Sequence, residues 1–68
     1  MASFFREGHT LTFNGFKGTV IQITETFRKN VLVLKVTEVP KRFERKKVEK
    51  IGLFEYPDGT LEFMCIID

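Results

Sequence analysis

The chain is poor in the residues that carry covalent chemistry. In 68 residues it has one cysteine, one histidine, one serine and no tryptophan. With Cys65 alone, no intrachain disulfide can form, and a secreted domain this small usually depends on such cross-links. A reducing cytoplasm is therefore the expected setting. One His and one Cys cannot complete a tetrahedral zinc shell within a single chain, so no metal is expected. Gly15 and Gly18 read as turn and bend glycines and do not form a GxxxxGK phosphate loop, and no cofactor is expected. A Cys–His nucleophile needs an exposed, activated thiol. Cys65 stands instead in the apolar run Phe63-Met64-Cys65-Ile66-Ile67, where it reads as buried and inert. Glu44 and Glu49 lie among bases, which favours ionised carboxylates over the raised pKa of a proton donor. No catalytic residue is assigned, and the chain reads as a non-enzyme.

Long hydrophobic runs are also missing. No stretch approaches the ~20 apolar residues of a membrane span, so no membrane is expected. Met1 to Gly8 has neither the apolar centre nor the cleavage pattern of a signal peptide. Low-complexity tracts are absent, and the charged residues, 29% of the chain, are of mixed sign, which does not read as disorder. Residues 1–68 read as one small domain, near the lower size limit for an independent hydrophobic core.

What the chain does have is phenylalanine, clear turn signals and one basic cluster. Eight Phe bury much area per residue and suit a compact core. His9 to Phe13 alternates as a strand, and Asn14-Gly15 is the dipeptide of a type I′ hairpin turn, with Phe13 facing Phe16 across it. Gly18 to Glu25 is the next strand. Its register is awkward, because Phe16, Gly18, Val20 and Gln22 share one face while Ile21 and Ile23 share the other. A bulge or bend at Gly18 would resolve this, and bent second strands are how small barrels close. Val31 to Thr37 is apolar on both faces and reads as the central strand, ended by Pro40. Leu53 to Tyr56 and Thr60 to Ile67 flank Pro57-Asp58-Gly59, a type I turn with a glycine bulge, and the last strand reads as a core strand.

Lys41 to Lys50 has no apolar face as a strand. At helical spacing Phe43, Val48 and Ile51 fall on one arc, so a short helix over 41–51 is preferred to a hairpin arm. Pro40 suits the helix start and Gly52 the position after its end. The expected fold is all-β, a small five-stranded barrel, OB-like if the insert between strands 3 and 4 is a helix and SH3-like or Sm-like if it is an arm. Residues 14–20, NGFKGTV, resemble the N-G-F…G-x-V run of bacterial Sm-like RNA chaperones, and Phe27 and Val31 to Leu34 sit where that family has an apolar strand. The resemblance ends at residue 34, is two residues short before Gly18 and lacks the family's second RNA-binding motif. It therefore transfers no RNA-binding residue.

Lys41 to Lys50 holds six of the eleven basic residues against two acids, while no base follows Glu55. Such a cluster suits phosphate contact, and on a small barrel the natural ligand is single-stranded DNA or RNA, its bases stacked on sheet aromatics. The candidate nucleic-acid-binding residues are Lys41, Arg42, Arg45, Lys46 and Lys50, with Arg28, Lys29 and Phe27 alongside. The plainer reading is a solvated face that neutralises the acidic C-terminal hairpin, in the same chain or in a neighbouring subunit of a homo-oligomer. The alternative function is a protein–protein interaction module, an adaptor, assembly factor or virus-encoded inhibitor. It would use exposed members of Phe4, Phe5, Phe16, Phe27, Phe54 and Tyr56 and an open sheet edge.

Overall fold

The computed structural model describes residues 1–67. Five strands form one antiparallel sheet: β1 (Thr10–Phe13), β2 (Phe16–Glu25), β3 (Asn30–Glu38), β4 (Lys50–Glu55) and β5 (Leu61–Ile67). The two hairpin turns follow their local chemistry. Asn14 and Gly15 take φ of 46° and 88°, the left-handed pair that a type I′ turn requires, and Phe13 stands opposite Phe16. At the second turn Gly59 has φ 88°, and the Asp58 carboxylate accepts hydrogen bonds from the Thr60 N–H (3.0 Å) and hydroxyl (2.7 Å).

Each strand lies beside its neighbour in sequence, so the order β1-β2-β3-β4-β5 is a meander, whereas an OB-fold is a Greek key. Among the described residues β1 and β5 do not pair, and the sheet is not closed into a barrel. It is nonetheless strongly curled. Flat, it would hold β2 and β5 about 14 Å apart, at three strand spacings. Yet the rings of Phe16 and Phe63 lie 6.0 Å apart between centroids. The core fills the inner face of this curl: Leu11, Phe16, Val20, Leu32, Leu34, Ile51 and Leu53. Leu32 stands opposite Leu53, and Leu34 opposite both Val20 and Ile51.

The register conflict in β2 is resolved one turn of the pleat later than the sequence suggests. Val20 pairs with Leu34 and Gln22 with Val33, so Ile21 is the unpaired residue of a bulge. The extra residue moves Ile23 opposite Leu32, on the core face, and leaves Ile21 exposed. Thr37 of β3 is a second extra residue, because Lys17 pairs with Glu38 and Gly18 with Val36, so an irregularity also falls at Gly18. A Cβ there would lie 2.5 Å from the backbone oxygen of Lys35, so only glycine admits β3 at this distance. Met64 is the extra residue of a further bulge in β5, between Phe63 opposite Leu53 and Cys65 opposite Gly52.

The two open ends of the curl are filled by irregular chain. At one end the N-terminal segment crosses from the β2–β3 turn to the β4–β5 turn. The Met1 amino group donates to the Thr26 carbonyl (2.9 Å), and the Phe4 N–H donates to Glu55 Oε2 (2.7 Å). Glu55 is fully buried and also accepts from Asn30 Nδ2 (3.1 Å). At the other end lies the β3–β4 connection.

That connection is not the helix expected over 41–51. Only Lys41–Phe43 form a turn of 3₁₀ helix. Pro40, the residue before it, is extended and offers no side-chain cap for the first N–H groups. The three apolar residues that suggested one helical stripe serve three different places. Phe43 packs against Phe16 with its ring tilted by 52° and centroids 5.1 Å apart, Val48 packs on the flank of the core, and Ile51 enters β4 opposite Leu34. The Val36 N–H bonds the Glu49 carbonyl (2.8 Å), which extends the ladder to Glu49. β5 also departs from expectation. It is an outer strand, not a core strand, and the Cys65 thiol is exposed, because Cys65 stands with Gly52 on the outer face.

Two outcomes test this fold. Glu55→Ala leaves the Phe4 N–H and the Asn30 amide without their acceptor and should cost about 1–3 kcal/mol in urea unfolding. Asp58 concerns acid. Hydrogen bonds from the Thr60 hydroxyl, then from its N–H, hold the Asp58 carboxyl below the ordinary carboxylate range. A group with a lowered folded pKa stabilises the fold above its unfolded value, and that stability is lost as pH falls through the folded value. Below about pH 4 the melting temperature of the wild type should therefore fall faster than that of Asp58→Asn.

Candidate nucleic-acid interface

The structure separates the proposed contact residues into two groups. Lys41, Arg42, Arg45 and Lys46 project from the β3–β4 loop, all exposed, and Lys50 opens β4 beside them. Phe27, Arg28 and Lys29 lie in the β2–β3 turn, at the other end of β3. Nine residues of strand separate the groups by about 30 Å. They do not form one compact patch.

The loop is held by its apolar residues, and its bases Lys41, Arg42, Arg45, Lys46 and Lys47 are exposed. Pro40 lies against the β1–β2 turn, so close that a Cβ on Gly15 would sit 2.8 Å from the proline ring. Phe43 is half-buried against Phe16, with the Arg42 guanidinium 5.1 Å and the Lys46 ammonium 5.7 Å from its centroid. Its ring is occupied and is not a stacking surface. Phe13, Asn14, Phe16, Arg42, Phe43 and Phe63 enclose a small cleft of about 90 Å³ there.

A residue that the sequence reading missed, Lys35, adds to the loop group. Side chains alternate along β3, so Leu32 and Leu34 enter the core while Val31, Val33 and Lys35 face outward. Lys35 stands directly opposite Lys50 on β4. Among the described residues, no carboxylate lies within ion-pair distance of either; Glu49 is 3.8 Å from Lys47 instead. Lys35, Lys47, Lys50 and Glu49, with Val36 and Val48, line an open groove of about 560 Å³. The signal for Lys35 was present in the sequence as one charge inside the apolar run VLVLKVT. Further along the same outer face, Phe54 stands opposite Val31, and the Lys29 ammonium lies 3.9 Å over its ring. Beyond it, Phe27 is 95% exposed at the tip of the turn, next to exposed Arg28. The outer face of β3 and β4 thus carries cations at both ends and aromatic rings at one.

Among the described residues, the exposed acids of the β4–β5 hairpin lie away from the loop, and Asp68 lies outside those residues. Asp58 and Glu62 lie at one end of β4 and the loop at the other. Tyr56 donates its hydroxyl to Glu62, which raises the phenol above its ordinary pKa, by the hydrogen bond first and the nearby charge last. His9 precedes β1 and Cys65 lies in β5, so they flank opposite outer strands. No group of three or more potential metal-ligating side chains occurs among the described residues. No helix among them is long and apolar enough to cross a membrane.

Fold and site together define a single-sheet, all-β protein with a cationic loop at one end and a cationic outer face. No protein-family model, curated protein or solved structure matches it.

Like charges directly opposite on neighbouring strands are destabilising. Lys35→Glu converts the Lys35–Lys50 pair into an attractive one. It should stabilise the fold by about 0.2–1 kcal/mol, read as a higher urea midpoint at unchanged slope.

Proposed function

We propose that this protein is a non-catalytic binding module for single-stranded nucleic acid. The Lys35–Lys50 pair carries the reading: two cations held side by side at a cost to the fold, with a third at Lys47, around an open groove. A phosphodiester backbone in that groove would offset their repulsion and release counterions. Lys41, Arg42, Arg45 and Lys46 extend the contact at the loop, and Arg28 and Lys29 at the far turn. Phe27 supplies a ring face for unstacked bases. The strand would run along the outer face of β3 and β4. This reading takes the curled sheet as a small SH3-like or Sm-like barrel with β1 and β5 as its open lips, supported by the approach of Phe16 to Phe63. It places the protein in a reducing cytoplasm, on the support of the unpaired Cys65 thiol.

A second reading rests on Phe27 and Phe4, which is 66% exposed. Two exposed phenylalanines at one end of the sheet favour a protein partner for that end, as in an adaptor, assembly factor or virus-encoded inhibitor.

The deciding experiment is fluorescence anisotropy of labelled single-stranded DNA and RNA across a salt series. Binding is expected to weaken steeply, with a log–log slope of about −0.7 per phosphate neutralised. Arg45→Glu/Lys46→Glu and Lys35→Glu should each weaken it and flatten the slope, and Lys35→Glu should do so while raising stability. The absence of binding at low salt would overturn the nucleic-acid reading. Binding that is insensitive to salt and lost in Phe27→Ala would favour the aromatic interface.

A further inference from the structure

The sheet has two outer strands, and they are not equally protected. β1 has four residues, and short edges are one of the ways proteins blunt unwanted strand pairing. β5 has seven, LEFMCII, apolar at every position except Glu62, with no proline and no base. Phe63 and Ile66 remain 38% and 37% exposed there. A strand of this kind presents an unpaired row of N–H and C=O groups to another strand.

We infer that β5 pairs antiparallel with β5 of a second copy of this chain, forming a two-fold dimer with one continuous sheet. Two features select this occupant. The first is charge. β5 runs from the acidic turn, with Asp58 and Glu62, toward the basic end, where Ile67 stands opposite Lys50. Among the described residues of one chain, Asp58 and Glu62 do not meet Lys50. An antiparallel second copy places the acidic end of each beside the basic end of the other, twice over by symmetry.

The second feature is register. Opposed residues must share a face. In a regular strand a two-fold axis perpendicular to the sheet therefore pairs a residue with itself or with one an even number away. The Met64 bulge breaks this alternation: Glu62, Met64, Cys65 and Ile67 all lie toward the outer face, and Phe63 and Ile66 toward the core face. Only one kind of register keeps the faces matched across the bulge, with the axis between Met64 and Cys65. Phe63 then faces Ile66 of the second copy, Met64 faces Cys65, and Glu62 faces Ile67 with Lys50 one strand beyond. Both outer faces, with their Lys35–Lys50 grooves, lie on the same side of the dimer. The two Cys65 residues come diagonally adjacent, with Cα atoms about 6 Å apart by strand geometry, within the span of a disulfide.

Sedimentation velocity of the full chain, from micromolar to millimolar concentration under reducing conditions, tests the pairing. The wild type should show a concentration-dependent monomer–dimer equilibrium. Cys65→Lys sets two ammonium groups together at the axis and should raise the dimer dissociation constant at least about tenfold, with an unchanged far-ultraviolet circular dichroism spectrum. Glu62→Lys should weaken the dimer, and adding Lys50→Glu should restore it. Mild oxidation of the wild type should trap a covalent dimer through Cys65. A wild type that stays monomeric at millimolar concentration would overturn the inference. So would a dimer that is indifferent to Cys65→Lys and yields no Cys65 cross-link.

Discussion

A lone sheet has no second layer to pack against, and a stable domain needs two. This chain meets the requirement by bending one sheet until its own strands face each other. The ring of Phe16 on β2 reaches Phe63 on β5, two strands beyond its neighbour, and the space between is the core. Everything else follows from that bend. The bulges at Ile21, Thr37 and Met64 supply extra residues along the bend. Gly18 lets β3 come close. The ends of the curl are then sealed with what remains of the chain, residues 1–8 at one and the β3–β4 loop at the other.

Function is tied to this economy. Phe43, Val48 and Pro40 are used as seals, so the intervening Lys and Arg residues of the loop are forced into solvent. The inner face is full, so only the outer face is free to bind. There the alternation of β3 delivers Lys35 to the side of Lys50, a juxtaposition set by strand register. The basic character of that end is therefore partly a consequence of where the core had to be.

Much of this was legible in the sequence where one residue's backbone demand decides the local structure. Asn14-Gly15 and Pro57-Asp58-Gly59 specified both hairpins, and the two-faced apolar run of β3 specified the centre of the sheet. Legibility failed where identical residue types serve different ends. Phe43, Val48 and Ile51 have helical spacing by coincidence of three separate packing sites. FMCII reads as core because apolarity does not reveal whether a strand has one neighbour or two. The register conflict in β2 pointed to Gly18, and an irregularity does lie there, on the β3 side at Thr37; the bulge at Ile21, which turns Ile23 inward, was not placed. Of the site, the loop bases and the turn residues were identified. Their separation along β3 and the placement of Lys35 beside Lys50 were not, because both depend on which strands pair.

The clasp between Phe4 and Glu55 has a consequence for how the chain is made. Strand pairing in a meander joins neighbours, so each hairpin can form as soon as its second strand is synthesised, and local contacts favour rapid folding. The N-terminal segment is different: its acceptor lies 51 residues downstream. Until β4 has formed, the Phe4 N–H lacks its acceptor, whereas Met1 and Gly8 already have theirs in Thr26 and Val20. The segment before β1 is thus fully fastened only when a strand far along the chain is in place.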